Sequence, residues 1–132
     1  MLEFFIPIEP YPKRTGRMAL VGRKPRFIAN KNTKAYEEKV RSFLKDSLPK
    51  VVPFAKDVSL TVEATFYMLR PKTVKRDVPF CKPDLDNLCK SLLDGMEGVL
   101  FAGDQQITEL RLKKVYAANE DSVGTMIKIT TN

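Results

Sequence analysis

The segment KPDLDNLCK, residues 82–90, brings together residue types that metal-assisted phosphate chemistry uses. Asp84 and Asp86 are separated by one residue, and Lys90 follows Asp86 by four positions. Carboxylate oxygens are ligands that Mg²⁺ prefers, and an ammonium group can offset charge that builds on a phosphate. The chain has a net charge of +7, so this local concentration of acid needs a cause.

Three interpretations fit the segment. In the structural one, Asp84 caps a helix and Asp86 forms an exposed i,i+4 ion pair with Lys90, and helix-start preferences alone favour such a pattern. In the second, the carboxylates bind Mg²⁺, which keeps water for a phosphate to displace. In the third, two acids act without a metal, although they would repel phosphates. A bound cation removes that conflict, so the metal site is preferred to the metal-free pair.

A metal site needs a further ligand from another element, so that oxygens surround the ion. The stretch GVLFAGDQQITEL, residues 98–110, supplies Asp104 in a polar turn after the helix. Aspartate is also common in turns that have no ligand to bind, and this alternative stays open for Asp104.

The helix that would carry the first two acids has two distinct faces. Leu88, Leu92 and Met96 recur at helical spacing on an apolar face, while Asp86 and Lys90 lie on the polar one. The partial positive charge at a helix N-terminus helps to keep a first-turn carboxylate ionised. Asp94 lies one turn after Lys90, where it could tie down the lysine.

Other segments predict the elements around this helix. Thr33 is a plausible N-cap for a helix that Pro49 closes, and Pro7 marks a strand end or an edge strand. Gly22 could turn a small hairpin. Strands are predicted at residues 4–8, 58–69, 107–117 and 124–131. The order predicts one α+β domain over residues 1–132, with a mixed β-sheet covered by two main helices.

Composition excludes several classes of protein. The chain has 132 residues, 43% hydrophobic and 30% charged, with no apolar run of membrane length and no signal-like leader. Cys81 and Cys89 fit neither a disulfide framework nor a C-x-x-C pair, so we expect a reduced, cytoplasmic protein with no membrane partner. Histidine is absent, which rules out imidazole bases and His-ligated metals.

Positive charge is concentrated in two stretches. Residues 1–34 hold eight Lys/Arg and two Glu, and residues 70–82 hold five Lys/Arg and one Asp. A single basic stretch is usually a solvated surface, but two stretches that flank a carboxylate cluster favour nucleic acid as the partner.

The run KPDLDNLCKSLLDGMEGVLFAGDQQITELRLKK, residues 82–114, resembles the signature of the RusA family of Holliday-junction resolvases. The similar features are D-x-D-N-x-x-K, then L-D-x-x-x-G-V-L, then a D-x-Q turn that leads into a basic strand. The combination in this order and spacing is more specific than any one part. The N-terminal stretch EPYPKRTGRMALVGRKPRF is the part least similar to the family.

The resemblance implies a small homodimeric endodeoxyribonuclease that uses Mg²⁺, with Mn²⁺ as a substitute, to cut four-way DNA junctions by paired nicks. It needs no small-molecule cofactor, and the family's frequent occurrence in prophages suggests a recombination role. Matched to the family's motif, the metal ligands are Asp84, Asp86 and Asp104, and the catalytic lysine is Lys90. DNA contacts are expected from basic residues of both subunits, including Arg14, Arg17, Arg23, Lys24, Lys72, Lys75, Arg76 and Lys82.

Two other functions compete with this one. Pro83-Asp84 followed by Glu109-Leu110-Arg111 superficially matches a PD-(D/E)xK nuclease site in which arginine replaces lysine. Alternatively, the chain is a nucleic-acid-binding protein without enzymatic activity, whose acids only cap a helix.

Overall fold

A computed structural model describes all residues from Met1 to Asn132. It contains a four-stranded sheet, a separate two-stranded hairpin and two α-helices. The elements are β1 Leu2–Ile6, β2 Arg17–Val21, β3 Lys24–Ile28, α1 Lys31–Ser47, β4 Leu60–Met68, α2 Leu85–Met96, β5 Ile107–Tyr116 and β6 Gly124–Thr131, with short 3-10 turns at Asp104–Gln106 and Glu120–Ser122. None of the helices combines the length and the apolar character that a membrane span requires.

The main sheet has the strand order β1-β6-β4-β5. β4 and β5 are parallel and are connected through α2, whereas β6 runs antiparallel to both β1 and β4. The prediction of an α+β domain with a mixed sheet and two helices is therefore confirmed. β1 is an edge strand that ends just before Pro7, as the proline indicated.

Both helices pack on one face of this sheet. Alternate residues of β4 are fully buried there, among them Phe66, and they meet Leu44 of α1 and Leu92 of α2. The opposite face carries the other half of each strand and no helix covers it. The period of two in β4 therefore separates an apolar core from an open, polar sheet surface.

The start of α1 differs from the sequence-based expectation. Asn30, not Thr33, is the N-cap, and its side chain accepts hydrogen bonds from the amides of Asn32 and Thr33, each at 3.1 Å. Thr33 is buried within the first turn, where its hydroxyl donates to the carbonyl of Pro12 at 3.0 Å. The expected cap thus attaches the basic N-terminal segment to the helix.

The hairpin predicted around Gly22 is present. β2 and β3 are antiparallel, and the φ angle of Gly22 is +69°, a value that favours glycine at the turn. One side of the hairpin exposes apolar residues such as Met18 and Phe27, and basic residues line the other side. The hairpin therefore offers two unlike surfaces to solvent.

Candidate active site

Asp84 stands at the N-cap position of α2, but its side chain makes no capping hydrogen bond. Its carboxylate accepts a hydrogen bond from the ammonium of Lys82 at 2.9 Å. The expectation that this aspartate caps the helix is therefore wrong for its side chain. The carboxylate is exposed and accepts no hydrogen bond from the first turn of α2.

The expected ion pair between Asp86 and Lys90 is also absent. Asp86 accepts only the amide of Asn87, at 3.0 Å, whereas Lys90 lies 3.2 Å from Asp104 and 3.4 Å from Asp94. The lysine points along the helix toward the loop carboxylate and away from the first turn. Neither part of the structural interpretation therefore explains the acids in DLDN.

Asp104 begins the 3-10 turn that leads into β5, and the buried side chain of Gln106 holds this turn in place. The Gln106 carbonyl oxygen accepts the amide of Ala102 at 2.8 Å, and its NH₂ donates to the carbonyl of Ala55, also at 2.8 Å. The sequence showed this glutamine as part of the D-x-Q turn. The structure adds a positioning role for it, because Gln106 fixes the loop that presents Asp104.

The contact with Asp104 raises the pKa of Lys90, an effect that partial burial opposes and that Asp94 supports. Because the pKa rises from an ordinary value of about 10.5, the ammonium stays protonated at neutral pH. Burial raises the pKa of the neighbouring Cys89 thiol to about 11, the positive charge of Lys90 opposes this shift, and the negative charges of Asp104 and Asp86 add to it. The carboxylates of Asp104 and Asp86 therefore both act electrostatically on the Cys89 thiol of α2.

Cys89 should resist alkylation in the native protein. With a pKa of about 11, the thiol is roughly 0.1% ionised at pH 8, and its side chain is buried. We expect iodoacetamide at pH 8 to modify exposed Cys81 alone, as measured by peptide mass spectrometry. Both thiols should react after denaturation, and equal labelling of the two in the native protein would contradict the buried placement.

Lys13 joins the basic N-terminal segment to the acidic helix, which the sequence did not indicate. Its ammonium lies 2.8 Å from Glu37 and 3.0 Å from Asp94, and its amide donates to the carbonyl of Asn87 at 2.8 Å. The hydrogen bond to Glu37 raises the pKa of Lys13. Asp94 therefore lies between Lys13 and Lys90 and binds both.

A polar cleft of about 540 Å³ opens beside Asp84. Its walls come from the N-terminal segment on one side and from the start of α2 on the other, and they include Lys13, Arg14, Thr15, Lys82, Asp84 and Asn87. The cleft places two predicted DNA-binding residues, Arg14 and Lys82, next to a predicted metal ligand.

The other predicted DNA contacts lie in two groups. Arg17, Arg23 and Lys24 are exposed on the hairpin, and Lys72 and Lys75 are exposed on the loop after β4. Arg76 is only partly exposed, because its guanidinium donates to the hydroxyl of Tyr116 at 2.9 Å and packs over the ring of Phe80. These contacts give Arg76 a structural role that its charge alone did not reveal.

The three predicted ligands are suited to a hard divalent cation by type, although they form no compact cluster. No group of three acidic or cysteine side chains lies close enough to hold a metal ion. Two of the ligands, Asp84 and Asp104, instead contact the ammonium groups of Lys82 and Lys90. All three donors are carboxylates that are at least partly exposed to solvent, and Mg²⁺ accepts such a donor set. Two of them already bind a cationic group.

The structure separates the residues of the PD-(D/E)xK alternative. Glu109 and Arg111 project from β5 on the open sheet face, where they form an ion pair at 3.0 Å. Asp84 belongs to α2, on the face that the helices cover. The structure therefore gives no support to a single metal site made of these residues.

A basic cleft beside an acidic helix and a loop carboxylate, on a small α+β domain, is an arrangement suited to a protein that acts on nucleic acid. Comparison with protein families gives a match to the family described as Endodeoxyribonuclease RusA over residues 7–130. The match covers nearly the whole chain, and the chain belongs to this family. Membership indicates a Holliday-junction-resolving endodeoxyribonuclease. A search of curated proteins finds no match.

Proposed function

We propose that this protein is a Mg²⁺-dependent, structure-selective endodeoxyribonuclease that resolves four-way junctions by symmetric paired nicks. The observation that carries the proposal is the state of Asp84 and Asp86. Neither side chain caps α2 and neither pairs with Lys90, and both carboxylates are exposed at the start of the helix, where Asp84 lines the basic cleft. A nuclease site gives these acids a purpose, and family membership supports it.

Asp84, Asp86 and Asp104 would hold the cation, from two neighbouring elements. When bound, Mg²⁺ supplies an electrophile for a phosphate oxygen and lowers the pKa of a water. To hold a cation, Asp84 and Asp104 would have to give up their contacts with Lys82 and Lys90, and the second contact of Lys90, with Asp94, would keep that lysine on the helix. Lys90 would then place a positive charge beside the phosphate.

The proposed enzyme acts as a homodimer in the cytoplasm, in DNA recombination and repair, and a prophage origin fits this role. A four-way junction has two-fold symmetry, so a C2 dimer would place one site on each of two opposed strands. The cleft, the hairpin and the loop after β4 supply the basic surface that would contact phosphates.

The proposal is tested with an end-labelled synthetic four-way junction and a linear duplex of equal length, each with Mg²⁺, Mn²⁺ or EDTA. We expect paired nicks at symmetric positions in the junction, with either metal and not with EDTA. Cutting of the duplex at the same rate would reject structure selectivity. Tight junction binding without cleavage under all metal conditions would leave a DNA-binding protein without enzymatic activity.

The hairpin should contribute electrostatic affinity for DNA. Replacing Arg17, Arg23 and Lys24 with Gln removes three charges, and each lost phosphate contact should reduce the slope of log K against log salt by about 0.9. We expect a shallower slope, weaker junction binding at low salt, and an unchanged melting temperature, because these side chains make no ion pair within the chain. An unchanged slope would place the DNA away from the hairpin.

A further inference from the structure

The open face of the main sheet carries an alternating row of charges. Glu3 on β1 is opposite Lys128 on β6, Lys128 is opposite Glu63 on β4, and Glu63 is opposite Arg111 on β5. These four side chains project from four adjacent strands at one level of the sheet. Across the sheet, the signs are therefore negative, positive, negative, positive.

Contacts within the chain satisfy this row only in part. Glu63 is shared between Arg111 at 3.5 Å and Lys128 at 3.8 Å, and Glu3 forms no ion pair at all. The side chain of Arg111 remains 64% exposed and that of Lys128 43% exposed. Glu3 at one end of the row is thus unpaired, whereas Arg111 at the other end is paired with Glu109 but keeps an exposed guanidinium that a partner can also contact.

Such a row is complementary to a second copy of itself in one orientation. A two-fold axis parallel to the strands, between β6 and β4, would exchange β1 with β5 and β6 with β4 across two facing sheets. Glu3 would then face Arg111 of the partner subunit, and Lys128 would face Glu63 of the partner subunit. An axis perpendicular to the strands would instead place each charge against its own copy.

The next level of the same face is apolar on its β1 and β6 half. Phe5 on β1 and Met126 on β6 are directly opposite each other, and Met126 is 37% exposed. The ring of Phe5 meets that of Tyr67 edge to face, with centroids 6.3 Å apart. Thr65 on β4 and Lys113 on β5 complete this level, so the two-fold axis would set Phe5 against the aliphatic stem of Lys113 and Met126 against Thr65 of the facing copy. Sheets that pack face to face align their strands within about 30°.

We propose that the open sheet face is the dimer interface, and that two copies pack through it about an axis parallel to the strands. This inference deepens the proposed function, and it rests on that function for the dimer itself. Because rotation about such an axis does not move a point along it, both active sites lie at the same end of the dimer. The helices and clefts are on the outside, where one two-fold symmetric junction can reach both.

Two charge-reversed variants test the interface by sedimentation velocity. Lys128→Glu alone would face Glu63 of the partner subunit, and Glu63→Lys alone would face the partner's Lys128, so each should raise the dimer Kd at least ~100-fold. In an equimolar mixture, every facing pair becomes opposite in sign, and dimers should form again between the two variants. Lys39→Glu, the same charge change on exposed α1, should leave the wild-type Kd unchanged.

Circular dichroism melts establish that the two single variants are folded. The proposal is overturned if the wild-type chain is monomeric, if the single variants still form dimers, or if the mixture remains monomeric. Junction cleavage by the wild type is measured in parallel. An active enzyme whose dimers ignore these substitutions would reject this interface and leave the proposed function intact.

Discussion

Asp86→Asn is expected to slow junction cleavage by at least ~100-fold while junction affinity stays equal or rises slightly. The amide keeps an oxygen that can accept the hydrogen bond from Asn87, so α2 should begin as before. It lacks the charge that holds a divalent cation, and it no longer repels phosphate. Single-turnover cleavage with Mg²⁺ and junction binding in Ca²⁺ measure the two effects separately.

Asp46→Asn is the matched control for this variant. Asp46 is an exposed residue of α1 that forms no ion pair or side-chain hydrogen bond, so the same chemical change there should alter neither rate nor affinity. Cleavage by Asp86→Asn at the wild-type rate would remove Asp86 from the mechanism. A loss of binding together with cleavage would instead indicate a structural role for the carboxylate.

Phe66→Ala is expected to lower the free energy of unfolding by about 3–5 kcal/mol. Phe66 is fully buried in the middle of the core, on the central strand β4, whose neighbours on both sides hold it in place. Because two strands constrain this position, the core can contract only slightly around the cavity. Urea unfolding followed by circular dichroism measures the change.

Phe80→Ala gives the comparison for that measurement. The ring of Phe80 is 76% exposed and contacts the guanidinium of Arg76, so its loss should cost no more than ~1 kcal/mol. If Phe66→Ala were as mild as Phe80→Ala, β4 could not be the centre of the core.

Local periodicity was sufficient to predict most of the fold. Alternation in the predicted strand at 58–69 led to β4 within two residues of its observed bounds, and the two-faced helix pattern led to α2. The start of α1 was harder to predict from the sequence, because Asn30 and Thr33 are both good N-cap residues. The carbonyl of Pro12, twenty-one positions earlier, decides between them by accepting the hydroxyl of Thr33. Local preferences carry no information about such a contact.

For the site, the sequence indicated which residues to examine but not how they are paired. Spacing on the helix suggested Asp86 as the partner of Lys90, whereas the lysine selects Asp104 from a loop and Asp94 from the next turn. The link between Lys13 and Asp94 joins residues 81 positions apart. Pairings of this kind depend on how helix, loop and N-terminal segment pack, which no local motif specifies.

The position of β6 in the sheet has a consequence for folding kinetics. β6 is the last strand along the chain, yet it lies between β1 and β4 and provides the only pairing partner of β1. Phe4 on β1 pairs with Ile127 on β6, so β1 can join the sheet only when nearly the whole chain is available. Closing so long a loop gives the fold a high contact order, which slows folding. While the chain is being synthesised, the acidic helix emerges before the sheet that supports it is complete. Nuclease activity should therefore appear only after residues 124–131 have docked.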